Sequence, residues 1–142
     1  MVLGRPSPAE GTLEGFILKD EEKKQVSVRA KPAPGGRKAI TKYRTLASRN
    51  GLSLVECDLI TGRTHQIRAM MAHAGHPLLG DGKYGNERTN RQYGRKFQAL
   101  WSYFLRFDFT TDAGELAYLN GKSWRVSRVD FVEEYFPEFS LQ

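Results

Sequence analysis

The sequence predicts a mixed α+β fold, in which a mainly antiparallel sheet packs against a few helices. Asn50-Gly51 lies between two apolar-rich segments, and this residue pair favours the positive φ angles of a tight hairpin turn. Residues 64–74 show helical apolar spacing, and residues 100–110 alternate as a β-strand does. A chain of 142 residues is the size of one domain, so we expect residues 1–142 to form a single domain.

Strands dominate the prediction for the first 60 residues. A short apolar segment at 14–18 is followed by an acidic-basic turn and by alternation through 25–28. The loop "KPAPGG" at 31–36 breaks regular structure, and the chain is extended again from Lys38. The partner strand across the Asn50-Gly51 turn is 52–60, which is apolar at most positions and is therefore expected in the interior.

A helix with one buried face is predicted over 64–74, since apolar residues recur at positions i, i+3, i+4 and i+7. These residues are Ile67, Met70, Met71 and Ala74. Thr64 is placed to cap the start of this helix, and Gly75 is placed to end it. The strand 52–60 therefore runs into the helix through the short segment "TGRTH" at 61–65.

The last 43 residues predict two more strands and a short helix. The alternation in 100–110 predicts a core-facing side made of Trp101, Tyr103, Leu105, Phe107 and Phe109. Asn120-Gly121 predicts a second hairpin turn between two alternating segments. Asp130 and Glu133 resemble an acidic capping box before a helix that Pro137 should stop.

The charge balance favours a polyanionic partner. Lys and Arg number 22 against 16 Asp and Glu, which gives a net charge of +6, and the isoelectric point is about 9.6. Such a charge also occurs on proteins that bind nothing anionic. Four cations cluster within 86–98 against the single acid Glu87, and by themselves they would indicate only a solvated loop. They are Arg88, Arg91, Arg95 and Lys96.

Composition also excludes several classes of protein. The chain has no apolar run long enough to span a membrane, and its first residues lack the basic and apolar segments of a secretory signal. The single Cys57 can form no internal disulfide, and its apolar neighbours predict a small buried hydrophobe. We therefore expect a cytoplasmic protein without a membrane partner.

The segment 61–65 has the composition of an anion site. A helix N-terminus exposes unpaired N–H groups, Gly62 permits close approach of the backbone, and Arg63 can grip a carboxylate or phosphate through two parallel hydrogen bonds. The anion is either a phosphate or a catalytic carboxylate. The alternative interpretation is a capped helix that carries a solvated arginine.

The sequence lacks the motifs of several other catalytic and metal-binding classes. The spacing of His65, His73 and His76 lacks an i, i+4 pair, so we predict no metal site. The chain has no G-x-S-x-G, no P-loop and no G-x-G-x-x-G after a strand. His76-Pro77 is expected to shape the turn after the helix, and Asp81 is expected to order the next loop through Asx-type hydrogen bonds.

The motifs "TGRTHQIR", "GHPLLGD" and "KYG", in this order and spacing, resemble the C-terminal signature of the RluA-type pseudouridine synthases. The similarity extends back to "GRPSPAEGTLEG" and forward through 101–109. The resemblance implies part of a pseudouridine synthase catalytic domain, which isomerises uridine in ribosomal or transfer RNA. It also implies RNA as the partner and no metal or organic cofactor.

The resemblance assigns roles to individual residues. Arg63 would orient a nucleophilic aspartate and keep it ionised. Contacts to RNA are expected from Thr64, His65, Gln66, Arg68, Arg88, Arg91, Arg95 and Lys96. Structural roles are expected for Gly62, Gly75, His76, Pro77, Gly80, Asp81, Tyr84 and Gly85.

The nucleophile of the family lies in a His-Arg-Leu-Asp segment, and this chain has none. The nearest look-alike, "SRVDF" with Asp130, is better explained as a helix cap, and Tyr43 matches a later strand of the family than the one with its active-site tyrosine. The chain also has Ala69-Met70 and Ser102-Tyr103 where the family usually has Val-His and His-Ala. We therefore expect a truncated member that does not isomerise uridine alone and that self-associates through an open sheet edge. The alternative is a non-catalytic RNA-binding or assembly module.

Overall fold

A computed structural model describes residues 1–141, and the chain divides into two compact units, Met1–Leu100 and the residues from Trp101 onward. Strands outnumber helices, and every strand pair is antiparallel, which confirms the predicted α+β class. The assignment of all 142 residues to a single domain stays a prediction. Within the described residues, no helix has the length and apolarity needed to cross a membrane.

A curled five-stranded sheet forms the frame of the first unit. Its strands are, in spatial order, β1 (Val2–Leu3), β5 (Leu52–Leu59), β4 (Arg37–Arg49), β2 (Glu10–Asp20) and β3 (Gln25–Arg29). The predicted hairpin between β4 and β5 is confirmed, since Asn50 and Gly51 have φ angles of 52° and 76°. A register shift between Thr45 and Ala47 bends β4.

Helix α1 (Gln66–His73) packs on one face of this sheet. Ala69 and Met70 pack with Ile17 of β2 and Ala39 of β4, and Met71 packs with residues near the first strand. Gly75 ends the helix at a φ of 90°, as predicted.

Two expectations for this helix are wrong. Ala74 is exposed, so Ala69 takes its place on the buried face. Thr64 is not the N-cap; the helix begins two residues later, and His65 occupies the cap position with φ 52° and no side-chain cap bond. The reason is that the Gln66 side chain accepts from the Arg63 backbone N–H, which closes the turn before the helix.

The segment 86–98 contains a helix rather than only a solvated loop. Helix α2 (Glu87–Gln92) begins at Asn86, whose side chain accepts a hydrogen bond from the Thr89 N–H at 3.0 Å. Arg91 pairs with Glu87 one turn away on the exposed side of the helix.

The second unit corrects most of the prediction for the last 43 residues. It contains β6 (Phe104–Arg106), a 3-10 helix (Gly114–Leu119), β7 (Ser123–Arg125) and α3 (Asp130–Tyr135). The long strand over 100–110 is wrong, because only three residues pair with β7. Its expected core face is also wrong, since Trp101 and Leu105 are 48% and 52% exposed.

Turn and cap chemistry explain the remaining corrections in this unit. Only Gly121 of the Asn120-Gly121 pair has a positive φ, and the segment before the pair is a 3-10 helix instead of the predicted strand. Helix α3 has no side-chain cap, because Val129 occupies the cap position and Asp130 is already the first helical residue, while Glu133 binds Arg128 through bonds of 2.6 and 2.7 Å. Pro137 follows the end of this helix, as predicted.

Candidate active site

The turn from β5 into α1, residues 60–66, is named here the arginine arch. Gln66 lies at its centre and is only 3% exposed. Its Nε2 donates to Ile40 O and Thr41 Oγ1 at 2.9 Å each. Its Oε1 accepts from the Arg63 N–H at 2.9 Å and from the Thr61 hydroxyl at 2.8 Å. The Gln66 amide donates two hydrogen bonds and accepts two, all within the fold. Gln66 therefore holds the arch against β4 and is not an RNA contact.

Arg63 leaves the arch at the wall of a cleft. Its side chain is half-buried, and its Nε donates to Lys38 O at 2.9 Å. No acceptor among residues 1–141 binds its terminal nitrogens Nη1 and Nη2. One edge of the guanidinium is therefore fixed by the protein, while two nitrogens remain able to bind an anion.

The cleft beside Arg63 has a volume of about 410 Å³ and a cationic wall. Lys19 and Arg37 line it together with Arg63, against the single carboxylate of Glu21. Gly62 and Thr64 of the arch complete that side of the wall. A cleft with this charge attracts anionic groups, and its wall holds a planar cation that fits a carboxylate.

Arg68 is committed to an internal ion pair. Its Nε and Nη2 bind the two carboxylate oxygens of Asp81 at 2.7 and 2.9 Å, and the Asp81 side chain is 0% exposed. Burial alone would raise the pKa of Asp81, but the bonds from Arg68 and from the backbone N–H groups of Lys83 and Tyr84 lower it overall. The expectation that Arg68 contacts RNA phosphates is therefore corrected, since its guanidinium is used inside the fold.

His65 and Tyr84 join the arch to the loop that follows α1. Nδ1 of His65 lies 2.8 Å from the Tyr84 hydroxyl oxygen, and the rings meet edge to face with centroids 5.6 Å apart. The same hydroxyl oxygen accepts the Val26 N–H of β3 at 2.8 Å. Burial lowers the pKa of His65, and the cations of Arg68 and Lys83 lower it further, against an opposing effect of Asp81.

The residues with expected structural roles lie in tight turns on either side of this loop. Nδ1 of His76 lies 3.0 Å from Leu3 O, and Pro77 O accepts the Leu3 N–H. Asp81 accepts N–H groups of Lys83 and Tyr84, which is the expected Asx-type geometry. A side chain at Gly85 would meet Asp81 O at 2.2 Å, and one at Gly80 would meet Phe97 O at 2.0 Å.

The remaining expected RNA contacts lie at or near the surface. Arg88, Arg91 and Lys96 are exposed, and Arg95 is half-buried. Thr64 is exposed on the arch. The structure therefore leaves these side chains accessible to a polyanion, apart from the partly covered Arg95.

Three positions at the cleft or beside Asp81 escaped sequence reasoning. Lys19 and Arg37 line the cleft, but nothing in their local sequence distinguishes them from other strand cations. Asn90 is 7% exposed and bridges two backbone groups, with Oδ1 accepting from Gly80 N–H and Nδ2 donating to Asp81 O. An asparagine inside a basic segment gives no sequence signal for such a role.

Two other kinds of site receive no support in the described part of the chain. No group of three or more His, Cys, Asp or Glu side chains among residues 1–141 is placed to hold a metal ion. Burial raises the pKa of the half-buried Cys57 thiol to about 11, so the thiol stays protonated and weakly nucleophilic at neutral pH.

Comparison with known proteins gives this geometry its family. A family model described as RNA pseudouridylate synthase matches residues 2–73, which is half of the chain and includes Arg63 and α1. The chain belongs to this family. An uncharacterised RNA pseudouridine synthase of Chloroflexus aurantiacus is 41% identical over 97 residues, and one of Bacillus subtilis is 41% identical over 103 residues.

The relatives are much longer than this chain. The matched region covers 68% of this chain in both cases, but only 29% of the Chloroflexus protein and 33% of the Bacillus protein. The solved structure of human RNA pseudouridylate synthase domain containing 1 matches 99% of this chain and 64% of its own, with a TM-score of 0.63. Its sequence identity is 18%, so this likeness shows that the pseudouridine synthase fold is shared.

Proposed function

We propose that this chain carries the arginine-bearing part of an RNA pseudouridine synthase site, in which Arg63 orients and ionises a catalytic carboxylate. The observation that carries the proposal is the guanidinium fixed through Nε at the cleft wall, with Nη1 and Nη2 unbound by any described residue. Pseudouridine formation breaks the N1–C1′ bond, turns the uracil and rejoins it through C5. A guanidinium beside the required carboxylate lowers the pKa of that carboxyl by about 1–3 units, which keeps it charged at neutral pH.

The charge distribution supports RNA as the partner of the first unit. Lys and Arg outnumber Asp and Glu by 18 to 9 in residues 1–100, whereas acids outnumber bases by 7 to 4 in residues 101–142. The basic excess therefore lies on the unit that holds the cleft. Exposed Arg88, Arg91 and Lys96 would add phosphate contacts, whose contribution to affinity falls as salt rises. We propose a ribosomal or transfer RNA as the substrate and the cytoplasm as the location.

We further propose that the chain alone does not isomerise uridine, because its 142 residues contain no His-Arg-Leu-Asp segment. The test is pseudouridine formation by the purified chain on bulk ribosomal and transfer RNA. We expect RNA binding without turnover. Turnover would overturn the inactivity, and absence of both binding and turnover would contradict the role in RNA modification. Salt-dependent RNA binding, with no turnover even when a segment carrying the missing His-Arg-Leu-Asp motif is added, would favour the non-catalytic RNA-binding module.

The role of Arg63 is tested in a complete family member that carries the same Thr-Gly-Arg-Thr-His motif. Replacing the motif arginine by Ala should lower kcat by about 100-fold or more, since a positioned donor to a reacting charge contributes at that level. RNA affinity should change by less than about 3-fold, because the guanidinium binds a protein carboxylate. Replacement by Lys is the matched control for charge without the planar fork. A loss of affinity with intact kcat would instead make this arginine a phosphate contact.

A further inference from the structure

We propose that Tyr84 is a positioning residue for the arginine arch: its hydroxyl donates to Nδ1 of His65, holds the imidazole neutral with its proton on Nε2, and thereby steadies Arg63. The consequence for catalysis rests on the proposed function of Arg63. The hydrogen-bond geometry does not, because it involves only groups within this chain.

The direction of the Tyr84–His65 bond follows from counting donors and acceptors. The Val26 N–H can only donate, so at 2.8 Å the Tyr84 oxygen is its acceptor. The Tyr84 proton then needs an acceptor of its own, and among residues 1–141 the available one is Nδ1 of His65, also at 2.8 Å. If Nδ1 carried the proton, the hydroxyl proton would face no described acceptor. The arrangement that satisfies all three groups places the imidazole proton on Nε2.

The charges around His65 support the neutral ring. Arg68 and Lys83 disfavour an imidazolium, Asp81 favours one, and burial adds to the disfavour, so the pKa of His65 lies below its ordinary value. Arg68 is already paired with Asp81, which weakens the attraction that Asp81 could offer to a charged His65.

Tyr84 is itself held at three points, which makes it a rigid anchor. Its N–H donates to Asp81 Oδ1 at 3.0 Å, its ring lies 5.3 Å from the Arg68 guanidinium carbon, and its hydroxyl binds Val26. The turn at 81–85 admits no side chain at Gly85. A hydroxyl supported in this way can hold a strained neighbour in place.

His65 is that strained neighbour. Its φ of 52° lies in the left-handed region, which a residue with a side chain adopts only when its surroundings impose it. His65 O accepts the first backbone bond of α1 from the Ala69 N–H at 2.9 Å, and Arg63 O accepts the Gln66 N–H at 3.1 Å. The conformation of His65 therefore joins the start of the helix to the turn from which the Arg63 side chain leaves. Releasing the imidazole should loosen that turn.

The test uses the full chain labelled with 15N, and it measures imidazole nitrogens, the Val26 amide and the Arg63 Nε–H by NMR at pH 7.5. In the wild type we expect His65 in the Nε2–H tautomer. Exposed His73 serves as the internal reference for an imidazole that populates both neutral tautomers. An Nδ1–H tautomer or a charged His65 in the wild type overturns the proposal without any variant.

Tyr84→Phe keeps the ring and removes only the hydroxyl. We expect His65 to shift toward the mixed population of His73, and exchange of the Val26 N–H and the Arg63 Nε–H with water to rise about 10-fold, the loss of one hydrogen bond. Tyr43→Phe is the matched control, since it removes a hydroxyl that donates to Pro8 O at 2.8 Å elsewhere in the same unit. We expect this control to leave all three signals unchanged.

An unchanged Arg63 Nε–H in Tyr84→Phe overturns the positioning role, because a merely local contact would alter His65 alone. This result is independent of the fate of the proposed function, which is decided by substitution of the motif arginine in a complete enzyme. If the expected NMR changes are seen but the motif arginine proves unnecessary for turnover, Tyr84 still positions the arch, and the arch has a task other than catalysis.

Discussion

Replacing Arg68 by Met should destabilise the first unit strongly, because it leaves a buried carboxylate without its partner. The Asp81 side chain is 0% exposed and loses both bonds from Arg68, at 2.7 and 2.9 Å, while keeping the two backbone N–H donors of Lys83 and Tyr84. Breaking a buried pair in this way costs about 3–5 kcal/mol of unfolding free energy. With a urea m-value of about 1.5 kcal/mol/M, the midpoint should fall by about 2–3 M.

The loss should depend on pH in a defined direction. In the wild type the pKa of Asp81 lies below its ordinary value, so the stabilisation is present above about pH 4 and is lost as pH falls through the folded pKa. In the variant, the pKa of Asp81 lies above its wild-type value, because Arg68 no longer favours the ionised form and burial still opposes it. The difference between the two proteins should therefore be smallest below the folded pKa of wild-type Asp81 and should grow as pH rises toward 7.

The assay is urea unfolding followed by far-UV circular dichroism, since both tryptophans, Trp101 and Trp124, lie in the second unit. The matched control is Arg91→Met, which breaks the pair with Glu87 where both side chains are more than three-quarters exposed. It should cost no more than about 0.5 kcal/mol. Equal losses in the two variants, or a loss in Arg68→Met that does not shrink as pH falls below the ordinary pKa of an aspartate, would refute the buried-pair reasoning.

Three further predictions follow from the arch, the basic surface and the second unit. The free energy of unfolding of His65→Gly should exceed that of His65→Ala by about 1 kcal/mol, because both lose the imidazole but only glycine adopts φ 52° without strain. Equal urea midpoints for the two variants would contradict this. Arg88→Ala with Lys96→Ala should lower the slope of log affinity for RNA against log salt by about 1–2, measured by fluorescence anisotropy; an unchanged slope would remove both from the interface. Apart from the sheet edge considered from the sequence, the exposed apolar pair Leu105 and Trp124 of the β6–β7 hairpin should promote self-association, so Leu105→Ser with Trp124→Ser should shift light scattering toward monomer; a wild-type monomer at every concentration would exclude this association.

Local chemistry accounts for the parts of the fold that could be predicted from the sequence. Asn50-Gly51 specifies its turn through backbone preference alone, and the spacing of Met70 and Met71 specifies a buried helix face. The start of α1 could not be predicted this way. Thr64 is a residue type favoured at helix N-caps, but a tertiary contact of Gln66 with β4 selects a different first turn. Propensity is overridden where a buried side chain organises the backbone around itself.

The site shows the same limit within one motif. Arg63, Gln66 and Arg68 lie within six residues, and the sequence predicts that Arg63 orients a carboxylate and that the other two contact RNA. The structure separates them, because Gln66 faces β4 and Arg68 meets Asp81, which lies 13 residues farther along the chain. Of these three residues, Arg63 is the one that keeps unbound terminal nitrogens at the cleft within the described part of the chain. A motif therefore identifies the family, but the assignment of each polar residue to substrate or scaffold needs tertiary contacts.

The second unit adds a different lesson, because its sequence pattern and its surroundings disagree. Alternation of large apolar residues predicts a face meant for burial, yet Leu105 and its cross-strand neighbour Trp124 are 52% and 51% exposed. A two-stranded hairpin is marginally stable by itself, and an exposed apolar pair adds an unfavourable hydration free energy. The alternation of apolar residues along a strand predicts which face is apolar, but it does not predict which surface covers that face. The disagreement is thus itself the physical argument for a covering surface, and Leu105→Ser with Trp124→Ser tests whether a second copy of the chain provides it.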